Sequence, residues 1–246
     1  MNYNLHIIIQ ARMSSSRLPG KVLLPLCGKT VLEVIIDRLQ KYKKNIIIAT
    51  TNDGSELPII EICERENIKY YLGSTNNVLE RYYLGAQKFN ANDKDIIIRV
   101  TSDCPLIDIG LLENCIKMYS SKKYDYVSNR INRTIPVGLD VEVFSFKLLK
   151  FMYENAEEDF EKEHVTPYVY LSKKNNYKLG SCEEYPDNSK YRLTLDEYDD
   201  YKAIKEVYKK FDNKVDFSYD ELISLLKNNQ YIFDINKSVC QKILKS

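Results

Sequence analysis

Triplets of isoleucine sit inside three short runs, residues 5–11 (LHIIIQA), 45–50 (NIIIAT) and 95–100 (DIIIRV). None alternates apolar with polar positions as a half-solvated strand does. Each is therefore predicted to be a strand covered on both faces, the condition of a parallel sheet flanked by helices. Between them the spacing is helical. Residues 30–39 place Val31, Leu32, Ile35, Ile36 and Leu39 on one helix face, residues 56–66 and 78–89 read as two more helices, and residues 69–72 read as a short strand. Strands alternating with amphipathic helices predict an α/β fold with a mostly parallel sheet. From Phe211 onward the chain reads as helical, with Leu222, Leu225 and Leu226 as an apolar stripe; residues 235–246 either add a final helix or fray. A length of 246 residues suits one large α/β domain or two small ones, and we read residues 1–246 as one, with 211–246 as a helical extension.

In such sheets ligands bind beyond the carboxyl ends of the strands, near the switch in strand order. The first of these ends opens into residues 10–21 (QARMSSSRLPGK), where Arg12, Arg17 and Lys21 stand with three consecutive serines and Gly20. Main-chain N–H groups of such a loop point at an anion, hydroxyls add donors, and guanidinium forks chelate phosphate oxygens. A solvated basic loop is the plain alternative. The loop after the third isoleucine run, TSDCPLID, supplies Asp103 where a strand stops. Asp103 is either a turn and N-cap residue or a ligand of magnesium, which usually takes one or two protein carboxylates and fills its shell with water and phosphate oxygens. By the rule of carboxyl ends, these two loops are neighbours in space. Further on, RLTLDEYDD (residues 192–200) places Asp196 just before a helix as a second magnesium candidate. Asp199 and Asp200, in that helix's first turn, read as partners of its dipole.

Charge and composition narrow the partners. Lys plus Arg is 36 against 35 Asp plus Glu, so a net charge of +1 exerts no global pull toward nucleic acid, and any basic patch is local. No apolar stretch approaches the ~20 residues a membrane span needs, and the amino terminus lacks a signal-peptide pattern; a cytoplasmic location is expected. Six scattered cysteines without a C-x-x-C pair, and only His6 and His164, do not compose a zinc site.

Several strings occur together in a familiar order: QARMSSSRLPGKVL, VTSDCPLID, IPVGLDVEVF (residues 135–144), EHVTPYVY (163–170) and RLTLD (192–196). On these motifs the chain resembles the SpsF-like cytidylyltransferase family, kin of the CMP-sugar synthetases that activate 3-deoxy-manno-octulosonate and the nonulosonic acids. The resemblance implies a Rossmann-like nucleotidyltransferase fold with a small β arm, here around residues 130–195, that often serves dimerisation, so a homodimer is expected. It implies CTP as nucleotide and magnesium as cofactor, the loop from Arg12 to Lys21 cradling the triphosphate, and Asp103 and Asp196 holding the metal. Gln10, Ala11, Ser14 and Ser15 belong to the same nucleotide-binding segment. Thr101 stands where the octulosonate enzymes carry a base-contacting glutamine, and Asn77 ends a stretch that lies near the nucleotide. The chain departs from the family at Ser14, usually glycine, at Asn77 and Glu80, usually aspartate, and at Glu197-Tyr198, usually Thr-Pro.

The chemistry follows from the charges. Attack on the α-phosphate of a nucleoside triphosphate brings an anionic nucleophile to an anionic centre, and catalysis is mainly positioning and electrostatic stabilisation. Lys21 and Arg12 are assigned to the β- and γ-phosphates and the leaving group, with Arg17 assisting or bracing the loop, and Asp103 completes the catalytic set. The acceptor, an anionic sugar or a small phosphorylated or phosphonylated molecule, is expected opposite. Asp140 and Glu142 on a strand rim, Glu163 and His164 at what reads as the start of a helix, and Arg192 are its candidate contacts. Arg192 meets the acceptor's anion or pairs with nearby acids, and Arg99 carries the same ambiguity. Tyrosines between Tyr119 and Tyr201 line either an acceptor pocket or a dimer face. A glycosyltransferase of similar fold and a non-catalytic nucleotide-binding subunit are the competing classes; the basic loop directly after the first strand argues against the former.

Overall fold

The computed structural model describes residues 3–240. The chain opens with β1 (Leu5–Gln10), passes a two-stranded antiparallel ribbon of β2 (Pro25–Leu26) and β3 (Lys29–Thr30), and enters α1 (Val31–Arg38). There follow β4 (Ile46–Thr51), α2 (Leu57–Arg65), β5 (Lys69–Gly73), α3 (Val78–Lys88), β6 (Ile96–Thr101) and α4 (Ile109–Ser120). The second half holds β7 (Tyr126–Ser128), β8 (Glu142–Ser145), α5 (Phe146–Asn155), α6 (Asp159–His164) and β9 (Leu179–Ser181), then α7 (Tyr198–Lys210), α8 (Tyr219–Asn228) and α9 (Gln230–Asn236).

One seven-stranded sheet in the order β5-β4-β1-β6-β8-β7-β9 organises the molecule. Its first four strands are parallel, while β8 runs antiparallel to both β6 and β7. The isoleucine triplets occupy its centre, and their alternation sends Ile7, Ile9, Ile48 and Ile98 into one helical layer and Ile8, Ile47 and Ile97 into the other. Both faces are thus dry, which is why no alternation shows in these runs. The expected helices form with ends that have a chemical cause: Thr30 and Glu33 make a reciprocal capping box at α1, and the Asn77 side chain caps α3 by accepting from the Glu80 N–H. Strand order leaves β1 for β4 on one side and for β6 on the other, so the crevice above β1 and β6 is the switch point where a ligand is received.

One expectation needs correction. Residues 130–195 do not form a separate arm: β8 and β9 extend the main sheet, with α5 and α6 between them, because their apolar residues Val143 and Phe144 are buried against the same two cores as the central strands. The small separate sheet is the β2–β3 ribbon instead. At the carboxyl end, Leu222, Ile223 and Leu226 of α8 are buried, with Leu225 packed at the margin, and the last helix among the described residues is Gln230–Asn236, so no helix spans 237–240. Residues 241–246 lie outside the described residues. Among the described residues, no helix is long and apolar enough to cross a membrane, and the cysteines are unpaired.

Candidate functional site

A cavity of about 560 Å³ opens at the carboxyl ends of β1 and β6. Its first end is built by residues 10–21. Gly20 takes a left-handed conformation (φ 68°) and its N–H donates to the Met13 carbonyl, 2.9 Å away, closing the loop so that the following turn aims Lys21 inward. Lys21 Nζ lies 3.0 Å from Asp196 Oδ1 and 3.6 Å from Asp103 Oδ2, and it donates to the Leu195 carbonyl at 2.7 Å. Arg17 adds a contact of 2.8 Å to the other Asp196 oxygen. Arg12 lines the cavity with no acidic partner among the described residues.

Distant segments are stitched together to bring these groups into range. The Leu195 N–H donates to the Asp103 carbonyl at 2.8 Å, the Thr194 hydroxyl donates to that same carbonyl, and the Leu193 N–H donates to the Val137 carbonyl at 2.7 Å. Gly138 permits the last approach: its φ is +103°, and a β-carbon there would stand 2.3 Å from the Thr194 nitrogen. Asp196 is held from behind. Buried Asp200 accepts from the main-chain N–H groups of Asp196 and Glu197 and from Arg192 Nε and Nη2, and Arg192 Nη2 also lies 3.3 Å from Asp196. Burial alone would raise the Asp103 carboxyl, but Lys21 and the Thr101 hydroxyl hold it below the usual carboxylate range. The neighbouring Cys104 thiol is pushed up by burial and by Asp103, so it stays protonated.

At the other end stands Glu142, at the start of β8 and 1 % exposed. Its carboxylate accepts from Arg99 at 2.5 Å, Arg130 at 3.1 Å, the Tyr126 hydroxyl at 2.9 Å and the Thr166 hydroxyl. Burial opposes its ionisation, yet the two guanidinium groups and the two hydroxyls bring its pKa down to about 2. His164 ends α6 rather than beginning a helix, and burial together with the charges of Arg99 and Arg130 lowers its pKa, so it is neutral at pH 7. Asp140 lines the cavity but is gripped by both terminal nitrogens of Arg133, at 2.7 and 3.1 Å.

Of the sequence candidates, Gln10, Ala11, Arg12, Ser15, Arg17, Lys21, Thr101, Asp103, Asp140, Glu142, Glu163, His164 and Asp196 share this one cavity. Three do not reach its wall. Ser14 is exposed outside it, Asn77 is occupied as a helix cap, and Arg192 sits behind Asp196 in the brace with Asp200. Glu142 is a saturated counter-ion, with its oxygens engaged by protein donors, so a role in accepting from sugar hydroxyls does not suit it. Thr101 directs its hydroxyl to Asp103, and Gln10 accepts from Tyr82 and Arg99. Sequence reasoning missed Arg81 and Arg130. Arg81 is 1 % exposed, donates to the Ser74 and Thr75 carbonyls, keeps an unpartnered Nε, and has its pKa lowered by burial to about 10. Its only signal was a cation three residues after Val78, on the inner side of a helix. Arg130 carried none.

Among the described residues no group of three or more His, Cys, Asp or Glu forms a ready metal cage. Two carboxylates converging on one point do suit magnesium, which keeps most of its shell for water and phosphate. Asp103 and Asp196 meet that condition, since both lie within 3.6 Å of a single ammonium group.

A family model described as cytidylyltransferase matches residues 6–240. The chain is 38% identical over 239 residues to an uncharacterised protein of Methanocaldococcus jannaschii, covering 96% of this chain and 95% of that one. It is 34% identical over 236 residues to the spore coat polysaccharide biosynthesis protein SpsF of Bacillus subtilis, covering 90% and 93%. A solved cytidylyltransferase from Leptospira borgpetersenii superposes with a TM-score of 0.89 at 32% identity, covering 99% of this chain and all of the other.

Proposed function

Because the chain belongs to the cytidylyltransferase family and is a nucleotidyltransferase, we propose that it moves the cytidylyl group of CTP, with magnesium, onto an anionic sugar or a small phosphorylated or phosphonylated acceptor. The convergence of Lys21, Asp103 and Asp196 at the switch point carries this reading. An acceptor oxygen attacks the α-phosphorus, the bond to the bridging oxygen breaks, and pyrophosphate departs. Lys21 and Arg12 lie where they can hold the β- and γ-phosphates and the charge that grows on the leaving group. Asp103 and Asp196 would hold magnesium, which when bound neutralises phosphate oxygens and fixes the direction of attack. Arg17 and Lys21 then exchange some of their carboxylate contacts for phosphate contacts, so the ligand-free ion pairs keep the loop in shape before the nucleotide arrives. SpsF supports a role in supplying an activated sugar for a surface polysaccharide.

Pyrophosphate release is the decisive measurement, with magnesium, each of the four common ribonucleoside triphosphates and a panel of anionic sugars and small phosphates or phosphonates. Release is expected with CTP, dependent on both acceptor and magnesium, and abolished in Asp103→Asn. Transfer from a preformed sugar nucleotide, with no pyrophosphate, would overturn the reading in favour of a glycosyltransferase.

A further inference from the structure

Asp196 reaches the cavity on a segment that the sheet does not hold. Between β9 and α7 the only ladder contact among the described residues is an isolated bridge of Arg192 with Val137. On its cavity side the segment is fastened to Asp103 and Val137; behind, it rests on the carboxyl-terminal helices, to which cytidylyl transfer has so far given no part. Three contacts make that support. The Asn188 amide donates to the hydroxyl of Tyr219, the first residue of α8, at 3.2 Å. The Phe233 ring of α9 meets the buried Tyr191 ring edge-on, with centroids 5.9 Å apart. Asn236, the last residue of α9 and 2 % exposed, donates from its one amide nitrogen to the Arg192 carbonyl at 3.0 Å and to Asp200 Oδ1 at 2.8 Å. Those two acceptors flank Asp196, one four residues before it and the other four residues after. An apolar side chain would serve to pack the helix end; a buried amide with two acceptors in other segments does something packing does not, which is to fix their separation.

We propose that Asn236 is a positioning residue for the metal carboxylate Asp196, and that the carboxyl-terminal helices are the back wall of the magnesium site. The proposal rests on the cytidylyl-transfer reading, in which Asp196 holds the magnesium that accompanies CTP. Three cations approach Asp196: Lys21 at one oxygen, Arg17 and Arg192 at the other. Lys21 and Arg17 can turn to the phosphates when the nucleotide arrives. Arg192 sits behind, so how it is shared between Asp196 and Asp200 decides how much carboxylate charge is left for a divalent ion. Asp200 takes most of it, accepting from Nε and Nη2 at 2.8 and 2.9 Å while Asp196 stands 3.3 Å from Nη2. The same Asp200 carboxylate accepts from the Asp196 and Glu197 N–H groups, so it sets both the charge and the main-chain course of the ligand. By tying Asp200 to the Arg192 carbonyl, Asn236 keeps these two ends of the brace at one distance. Hydrogen bonds behind a metal ligand govern affinity for the ion almost as the ligand itself does. Asp103, Lys21 and Arg12 do not depend on this fastening, so contacts with the nucleotide survive its loss.

The test separates the metal from the nucleotide. CTP is titrated calorimetrically into the full chain without acceptor, once in EDTA and once in saturating magnesium, and the ratio of the two dissociation constants measures what the metal adds. Asn236→Ala is expected to bind CTP in EDTA within about twofold of wild type and to retain no more than about a tenth of the magnesium-dependent gain. Ile232, on the same helix and 1 % exposed, supplies the control: Ile232→Val removes a buried methyl group but none of the hydrogen bonds to the segment, so it should lower the melting temperature and keep the full gain. If Asn236→Ala does not fold, Asn236→Ser, too short to span both acceptors, carries the same expectation. A gain in the Asn236 variant equal to that of wild type, an equal loss of gain in Ile232→Val, or a loss of CTP affinity as large in EDTA as in magnesium would each overturn the positioning role and leave cytidylyl transfer standing. Wild type that binds CTP with no gain from magnesium would overturn the metal assignment and the positioning role together. Wild type that binds no CTP would overturn cytidylyl transfer itself, and the positioning role with it.

Discussion

The two ends of the cavity handle charge in opposite ways. At the phosphate end Lys21 and Arg17 pair with Asp103, Asp196 and Glu197 through side chains that keep some solvent exposure, and the same groups are the ones a triphosphate and a cation would claim. At the acceptor end Glu142 is sealed and fully engaged, and its pairing with Arg99 is part of the seam between β6 and β8, where Arg99 and Glu142 are register partners. An exchangeable pair contributes little to stability and much to ligand binding. A buried, saturated one is costly to break, because removing one partner leaves uncompensated charge behind. The same residue types therefore form exchangeable pairs at one end and, in the Arg99–Glu142 pair, part of the sheet seam at the other.

The sharpest break of that comparison is Lys21→Ala. On the proposed reading, loss of this cation should lower turnover by about 10²–10³-fold or more, by analogy with deletion of single charge-stabilising groups. Asp196 retains Arg17 and Arg192, so urea midpoints should move little. Pyrophosphate release and urea titration on the same sample check both halves. A large loss of stability with unchanged turnover would invert the assignment.

Glu142→Gln is the mirror experiment. It leaves two guanidinium groups at a buried site without a counter-charge and should cost about 3–5 kcal/mol of stability, read from denaturant titration. Its effect on CTP affinity should be small. The acid limb of the stability curve makes the same point. The folded-state pKa of Glu142 is depressed from 4.5 to about 2, so its contribution is fully present above the unfolded value and is lost as pH falls from about 4.5 toward about 2. Wild type minus Glu142→Gln, measured across that window, should therefore shrink with falling pH. A difference that stays constant would show that Glu142 is not the ionised centre of the cluster.

Between the two ends runs the contact of Val137 with residues 191–194, and Gly138→Ala strikes it. The new β-carbon meets main-chain atoms of Leu193 and Thr194 at 2.3–2.5 Å, in a backbone conformation that L side chains rarely adopt. Backbone must move, at a cost of about 1–3 kcal/mol. The segment it displaces carries Asp196, so turnover should fall by more than stability alone explains, with roughly 10²-fold a reasonable scale for a misplacement of ångström size. Thermal melting and turnover, compared at a temperature where the variant is fully folded, separate the two effects.

These contrasts show which parts of the molecule a single sequence discloses. The central strands were legible because Ile7–Ile9, Ile46–Ile48 and Ile96–Ile98 are buried on both faces and lose the period of two. The meeting of Lys21 and Asp103 was legible because the loops that carry them leave the carboxyl ends of β1 and β6, which converge at a switch point; Asp196 was set beside them only through the family resemblance, since the segment before it is not a strand of the sheet. The sealed end was not. Arg130 lies in the turn after β7 and Tyr170, 40 residues on, in a single π-helical turn (Tyr168–Ser172), β7 and β9 are three residues long, and their pairing leaves no period to detect. Glu142 and Arg192 looked like acceptor contacts because residue type alone cannot distinguish a charge facing a cavity from one facing another charge.

The smallest expected effect concerns the position where this chain carries serine and its family usually carries glycine. If the phosphate loop needed a left-handed residue at Ser14, Ser14→Gly would relieve strain and stabilise the protein. Among the loop residues the left-handed conformation belongs to Gly20, and Ser14 is exposed with an ordinary φ. The substitution therefore only adds freedom to the unfolded chain and should destabilise by about 0.4–1 kcal/mol. Ser14 lies outside the cavity lining, so turnover with CTP should stay within about twofold. Stabilisation in Ser14→Gly would mean that the loop stores strain at its tip, and the phosphate end would then have to be described as a sprung device instead of a set of exchangeable ion pairs.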